Sequence, residues 1–481
     1  MADASSREST SGLRRLAFWA VSCLLIVALG CGVVVFLFFH RFYPSIPAAA
    51  FPLAQDQETA QRQDFEYFRR YLEVDQAYSP EARREATRLL TGYQAEAGSL
   101  SPAQFDLAIS RMVALADNGH SAVYKGSLSR RNNRLPCRLY HFSDGYYIIR
   151  ARPACGRMLG AKVTALDGMP VDAVVDRMFE YSGGPRNHYD QFISVFFLES
   201  PALLHAAGLA SLSDRLSLHL MLRDGSERDE TVIADPPDVN APHVYSDSYL
   251  SPQRIDEESD DWMTLLAPNA ALPVFLQDYA NPFQSVYWAD KGVYYVEFRS
   301  NEDEPGHSIG EFVARVKREI VADRPRSVVV DLRLDQGGNF VKTAGLMKNV
   351  ANLTNSIEHV YVLTSAWTFS AGNVSVALLK QHGGSKVTVI GAEVGDRIRI
   401  WAEGRDMTLP NSKLDIGFAT GLHDYTHPCW RDPGCFWTLF FFPMHVATLA
   451  PDIPVPYSFE DYVALRDPLL DRALTLAAQL P

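Results

Sequence analysis

The stretch that most constrains this chain is Leu16 to Phe39, LAFWAVSCLLIVALGCGVVVFLFF, 24 residues without a charged side chain. A helix rises about 1.5 Å per residue, so the run reaches roughly 36 Å, more than the ~30 Å of bilayer hydrocarbon. Arg7, Arg14 and Arg15 precede it, and only Arg41 stands close behind. Basic flanks stay in the cytoplasm, so the expected topology is single-pass, N-terminus inside, with the bulk of the chain exported. A cleavable signal peptide is the alternative, with Pro47-Ala48-Ala49-Ala50 resembling a cleavage site. Signal peptides have apolar regions of only about 7–15 residues, and this one is longer. A lipid-bearing Cys31 is excluded by the apolar residues that continue beyond it.

The rest of the composition bounds the exported part. The chain has 481 residues, 45 basic and 57 acidic; four basic and two acidic residues fall in the first 43, leaving 41 against 55, a net −14. That balance argues against a nucleic-acid binder. With 47% hydrophobic residues there is ample material for a large core, and disordered or fibrous classes are excluded. Of six cysteines, Cys23 and Cys31 lie in the apolar run, and the others form the local pairs Cys137/Cys155 and Cys429/Cys435. In an oxidising compartment both pairs are expected as small-loop disulfides. No metal-ligand spacing accompanies them, and no metal site is expected.

The exported part divides by pattern. Pro44 to Gln57 reads as a tether. Residues 58–125 read as a small helical domain, with Phe65, Phe68 and Leu72 on one face and helix starts at Ser79-Pro80 and Ser101-Pro102. Residues 135–235 carry short strands, such as the alternating Leu216 to Arg223, with a turn at Asp167-Gly168 and a helix over Val171 to Met178. Residues 236–284, with the run Asp256-Glu257-Glu258-Ser259-Asp260-Asp261, read as an acidic linker. Residues 285–475 alternate strand and helix, which implies a layered α/β core with buried strands.

Three short elements could carry chemistry. Ser370 follows a hydrophobic strand and opens a helix, where the helix dipole favours a developing negative charge. A serine there can equally be an ordinary cap. Gly337-Gly338 follows the buried strand Val328-Val329-Val330, and such glycines can leave N–H groups exposed. His120, in Asp117-Asn118-Gly119-His120-Ser121, has the chemistry of a general base, or is a surface loop residue.

Together these elements resemble the S41 serine peptidases, which include tail-specific and tricorn-like branches. Asp117-Asn118-Gly119-His120-Ser121 resembles the family's Asp-x-x-His-Thr/Ser motif, and Leu159 to Gly168 its PDZ-like segment. Asp331-Leu332-Arg333 with Gly337-Gly338 is similar to Asp-Leu-Arg-x-Asn-x-Gly-Gly, and Thr368-Phe369-Ser370-Ala371 to the nucleophile motif. Val389-Ile390-Gly391, Leu409 to Ser412, Ala450 to Val455 and Asp467-Pro468 follow in the family order, so the resemblance covers about residues 58–475.

The expected fold is an α/β multidomain protein, with a transmembrane helix at 16–39 and a helical domain as read above, and the resemblance implies a PDZ-like domain and a crotonase-like β/β/α spiral core. It implies Ser370 as nucleophile and the Gly338 and Ala371 amides as oxyanion hole. The tail-specific branch takes its base from a lysine about 25 residues after the serine. Here Val394 to Arg399 holds none, and arginine does not deprotonate. The tricorn-like branch uses the motif histidine, so His120 is the expected base. Three departures stand out: Asn373 where the family has Glu, a Gly391-Ala392-Glu393-Val394-Gly395 stretch lacking the usual Glu-x-Thr-Gly, and no evident acid to orient His120. Glu393, Glu403 and Asp424 are candidates for that acid, and His307 is a rival base.

The expected function is a membrane-anchored, exported serine endopeptidase acting on peptides or unfolded protein through an acyl-enzyme, without cofactor, metal or nucleic acid. The PDZ-like domain would present substrate by strand addition. The first alternative is a binding or scaffold protein that kept the peptidase fold and lost catalysis, as in the family's retinoid-binding branch. The second is acyl-thioester chemistry on the same fold.

Overall fold

The computed structural model describes residues 5–241, 246–255 and 261–480, with side chains from Phe18 onward, Lys125 excepted. The acidic run of the expected linker lies, apart from Asp261, outside the described residues.

A single helix, Ser5–Phe42, contains the long apolar run, and its Phe18–Phe42 portion is long and apolar enough to cross a membrane or to serve as a signal sequence. Its apolar side chains are exposed until the last turn, where Phe42 is fully buried against the rest of the molecule. The helices Gln57–Val74, Pro80–Ala95 and Pro102–Ala114 follow. The latter two start where Ser-Pro pairs suggested: Ser79 and Ser101 accept backbone N–H groups, and Gln104 completes a capping box.

An antiparallel sheet comes next, in the order Cys137–Phe142, Gly145–Ala151, Lys162–Leu166, Arg215–Met221, Glu227–Ile233. Leu216, Leu218 and Leu220 point to its buried side, as period-two patterning requires. Within the 236–284 stretch, residues 236–240 are exposed while others are packed. Tyr249, Leu250, Phe275 and Leu276 are buried, and Met263–Thr264 pairs with the Gly145–Ala151 strand. Their apolar side chains outweigh the acidic composition that suggested a linker.

The core sheet has six strands, ordered Ile453–Pro454, Val387–Gly391, His359–Thr364, Ser327–Asp331, Val293–Phe298, Phe283–Trp288. All neighbours are parallel except the last pair. Successive residues serve opposite faces. Val328, Val330, Val360 and Val362 pack with the helices Ile309–Asp323, Phe340–Met347 and Ala371–Gly383. Val329, Tyr361 and Leu363 pack with Leu469, Leu470 and Ala473 of the C-terminal helix Pro468–Ala477. Layers on both faces explain why these strands read as unbroken apolar runs.

Because Asp331 pairs in register with Leu363, the loops leaving these two strands emerge side by side. That edge, the carboxyl end of adjacent parallel strands, is where open α/β sheets place their sites.

Of the two expected disulfides, Cys429–Cys435 is formed. The other is corrected: Cys137 and Cys155 are buried free thiols. They touch by a sulfur hydrogen bond, which raises the Cys137 thiol and lowers that of Cys155.

Candidate active site

Ser370 stands between the His359–Thr364 strand and the Ala371–Gly383 helix, with φ 52° and ψ −115°. A non-glycine residue there costs about 1–3 kcal/mol and persists only where its surroundings impose it. The preceding turn is bolted to the neighbouring loop. Thr368 Oγ1 donates to the Leu332 carbonyl at 2.7 Å, Ser365 Oγ to that of Arg333 at 2.5 Å, and the Phe369 N–H to that of Asp335 at 2.9 Å. The Ser370 hydroxyl makes no capping hydrogen bond. The ordinary N-cap reading is therefore set aside.

Gly337 and Gly338 have φ of 109° and 121°. A Cβ on Gly337 would lie 2.6 Å from Ser370 Cβ and 3.1 Å from both Ser370 Oγ and the Ala371 nitrogen, so only glycine fits. Gly337 donates to Asp335 Oδ1 at 3.0 Å and accepts from the Asn301 N–H at 2.6 Å. The N–H groups of Gly338 and Ala371 have no acceptor among the described residues.

Asp335, missed by sequence reading, organises this loop. Asn301 Nδ2 donates to both its carboxyl oxygens at 2.7 Å, and Thr343 Oγ1 in turn donates to Asn301 Oδ1 at 2.6 Å. Burial without a cation pushes the Asp335 carboxyl up to about 7.

His120 and Ser370 line one cavity of about 240 Å³, together with His188, Phe192, Gln336, Trp367 and Phe369 among others. His120 Nδ1 lies 3.2 Å from Asp396 Oδ2, although the angle falls short of an aligned hydrogen bond. Asp396 Oδ1 accepts the Arg397 N–H at 2.8 Å. Arg397 reaches back to Asp117, bonding its carbonyl at 2.6 Å and Oδ1 at 2.8 Å, so the acid and the histidine loop are tied together. Asn118 Nδ2 donates to Ser121 Oγ, which donates to Asp75 Oδ2 at 2.6 Å. Asp75 also accepts from Tyr71 OH and the Ala419 and Ala77 N–H groups, while burial pushes its carboxyl up.

A second histidine joins the cavity. His120 and His188 each stack on Phe369 with ring centroids 4.5 Å from it. His188 Nδ1 lies 3.0 Å from the Ala366 carbonyl.

The acids named from sequence have other bonding partners, although Glu403 is close enough for the charge of His120 to act on it. Glu393 lines a separate cavity of about 380 Å³ that shares Trp367 with the first. Glu403 Oε1 pairs with His423 Nε2 at 3.1 Å, and Asp424 holds Thr426 and His427. His307 lines a third cavity, with Asn281 and Arg315. Asn373 is fully buried, and neither amide atom has a hydrogen-bond partner among the described residues. Asp396 lies within the segment searched for a lysine, but 276 positions from His120 no local signal marks it.

No family model and no curated protein matches the sequence. Solved structures do match. Mature CPAF complexed with lactacystin superposes at a TM-score of 0.55 with 12% identity, over 88% of this chain and 98% of that one. Another structure of mature CPAF gives 0.52 and 12%, over 88% and 97%. The fold is that of these CPAF structures. A putative S41 protease from Bacteroides fragilis aligns over 91% of this chain and 95% of its own at 14% identity and a TM-score of 0.32. In this fold, the loop after Asp331, the turn at Ser370 and the histidine loop converge on one cavity.

Proposed function

We propose that the protein is a membrane-anchored serine endopeptidase, held by the Phe18–Phe42 span, its remainder exported. The observation that carries this reading is Ser370. It sits in a strained, uncapped turn at a helix start, in a cavity it shares with a histidine backed by a buried carboxylate. Strain of this kind is characteristic of nucleophile turns.

In the proposed mechanism His120 accepts the Ser370 proton as Oγ attacks the substrate carbonyl. Asp396 holds the imidazole by Nδ1, leaving Nε2 for the proton, and stabilises the imidazolium. The Gly338 and Ala371 N–H groups hold the oxyanion of the tetrahedral intermediate. His120 then gives its proton to the leaving amine, and a water activated by the same ring releases the acyl group. Phe369, stacked on both histidines, keeps the His120 ring plane in place. The antiparallel sheet acts as a PDZ-like module presenting peptide, and the six-stranded sheet with its helices as a crotonase-like core. Substrates are peptides or unfolded protein.

A fluorophosphonate probe on the full-length chain tests the assignment. Adduct formation on Ser370, with casein hydrolysis lost in Ser370→Ala by roughly 10³-fold or more, is expected. A folded chain whose Ser370 stays unmodified overturns it in favour of a binding protein.

A further inference from the structure

The segment 434–451 contains no Asp, Glu, Lys or Arg, in a chain otherwise rich in acid. Its aromatic residues serve two purposes. Phe436 and Trp437 receive the foot of the apolar helix: Phe42 meets them at centroid distances of 5.1 and 5.6 Å, and Phe38 at 5.6 and 6.2 Å. The Arg41 guanidinium donates to the Pro433 carbonyl at 3.3 Å. On the same short helix, Trp437–Phe441, the next aromatic residues face outward. Phe440 is 41% and Phe441 78% exposed.

Exposed neighbouring phenylalanines on a turn rigidly packed against the end of a span sit at the height where bilayer meets water. Apolar and aromatic side chains beside a span are stable at that boundary. We propose that Phe440 and Phe441 form a second membrane contact, seated in the boundary between headgroups and acyl chains beside the helix. The inference rests on the reading of Phe18–Phe42 as a membrane span.

The contact has a direct mechanical consequence. Its turn is fixed by the Cys429–Cys435 bridge, by Leu422 N–H to the Gly434 carbonyl at 2.7 Å and by Phe436 N–H to that of Leu422 at 3.0 Å. Leu422 lies in the Gly421–Asp424 strand, whose partner Arg399–Ala402 begins three residues after Asp396. Two points of attachment, helix and turn, therefore hold the candidate site at one orientation to the bilayer, where a single helix would let it swivel.

The full-length chain, with Cys23→Ser and Cys31→Ser, is reconstituted in vesicles of phosphatidylcholine and phosphatidylglycerol. Spin labels are placed singly at Phe440→Cys, Phe441→Cys, Val27→Cys within the span, and Ile233→Cys on the antiparallel sheet. Accessibility to oxygen and to a water-soluble nickel chelate is then measured. Labels at 440 and 441 are expected to be reached by oxygen and shielded from the chelate, at a shallower depth than the label at 27. The label at 233 should show the reverse. A lipid-exposed label at 27 with chelate-exposed labels at 440 and 441 leaves the anchor standing and overturns the second contact. Labels at 440 and 441 shielded from both reagents indicate a protein partner or second copy there, which also overturns it. A chelate-exposed label at 27 overturns the anchor and this inference together.

Discussion

Asp396 and Asp335 are two buried acids with different duties. Asp396 backs His120 at 3.2 Å, so Asp396→Asn is expected to lower kcat by roughly 10²–10⁴-fold while KM changes little. A steady-state comparison on a peptide substrate checks it, with an unchanged circular dichroism spectrum as the folding control. Asp335 holds the Gly337–Gly338 loop and has its carboxyl pushed by burial from 3.8 up to about 7. Between those values the native chain keeps a proton that the unfolded chain has lost, so stability falls as pH rises through the window. Asp335→Asn removes this dependence. Its Tm profile should be flatter than wild type between about pH 4 and 7, the difference at full development being of order 4 kcal/mol.

At the scale of elements, the turns matter more than the strands they join. The turn 365–370 is held by three hydrogen bonds to the loop 332–335, which is why Ser370 can keep a positive φ. The Cys429–Cys435 turn is held by its bridge, a short loop with a sequence separation of 6. Closing so small a loop stabilises by about 2 kcal/mol in the chain-entropy account. Cys429→Ser with Cys435→Ser is expected to lower the unfolding free energy by that amount in a denaturant titration, without changing kcat. The boundaries of these elements were partly legible. Ser79-Pro80 and Ser101-Pro102 mark helix starts because capping is local, and Val328-Val329-Val330 marks a doubly covered strand. The packing of 246–284 was not legible, because its few buried residues, such as Tyr249 and Phe275, are diluted by polar neighbours.

Across the whole molecule, Asp75 is one of several buried links between the helical part and the 411–420 stretch, beside Asp64 to Asn411 and Ser412 and Tyr71 to the Gly417 carbonyl. The Asp75 carboxylate accepts from Ser121, beside His120, and from the Ala419 N–H, more than 340 positions away. Asp75→Ala leaves these donors unpaired in the interior. It is expected to destabilise the fold by about 2–4 kcal/mol and to lower kcat through a loosened His120 loop. A urea titration reads the first effect and steady-state kinetics the second. The same long reach explains the misplaced search for an acid: Glu393, Glu403 and Asp424 are close to the right stretch of chain, but each faces another neighbour.

The sequence by itself determined the apolar run, the helix starts, the buried parallel strands and the three motifs that meet at the cavity. Each is written in neighbouring residues, through hydropathy, capping or glycine chemistry. Tertiary structure alone decided that Asp396 backs His120, that Ser370 is strained and uncapped, that Phe369 stacks on two histidines, and that Cys137 and Cys155 are unbridged thiols. Those facts depend on distances between residues up to several hundred positions apart. Such distances are set by how sheets and loops pack, and no local pattern encodes them.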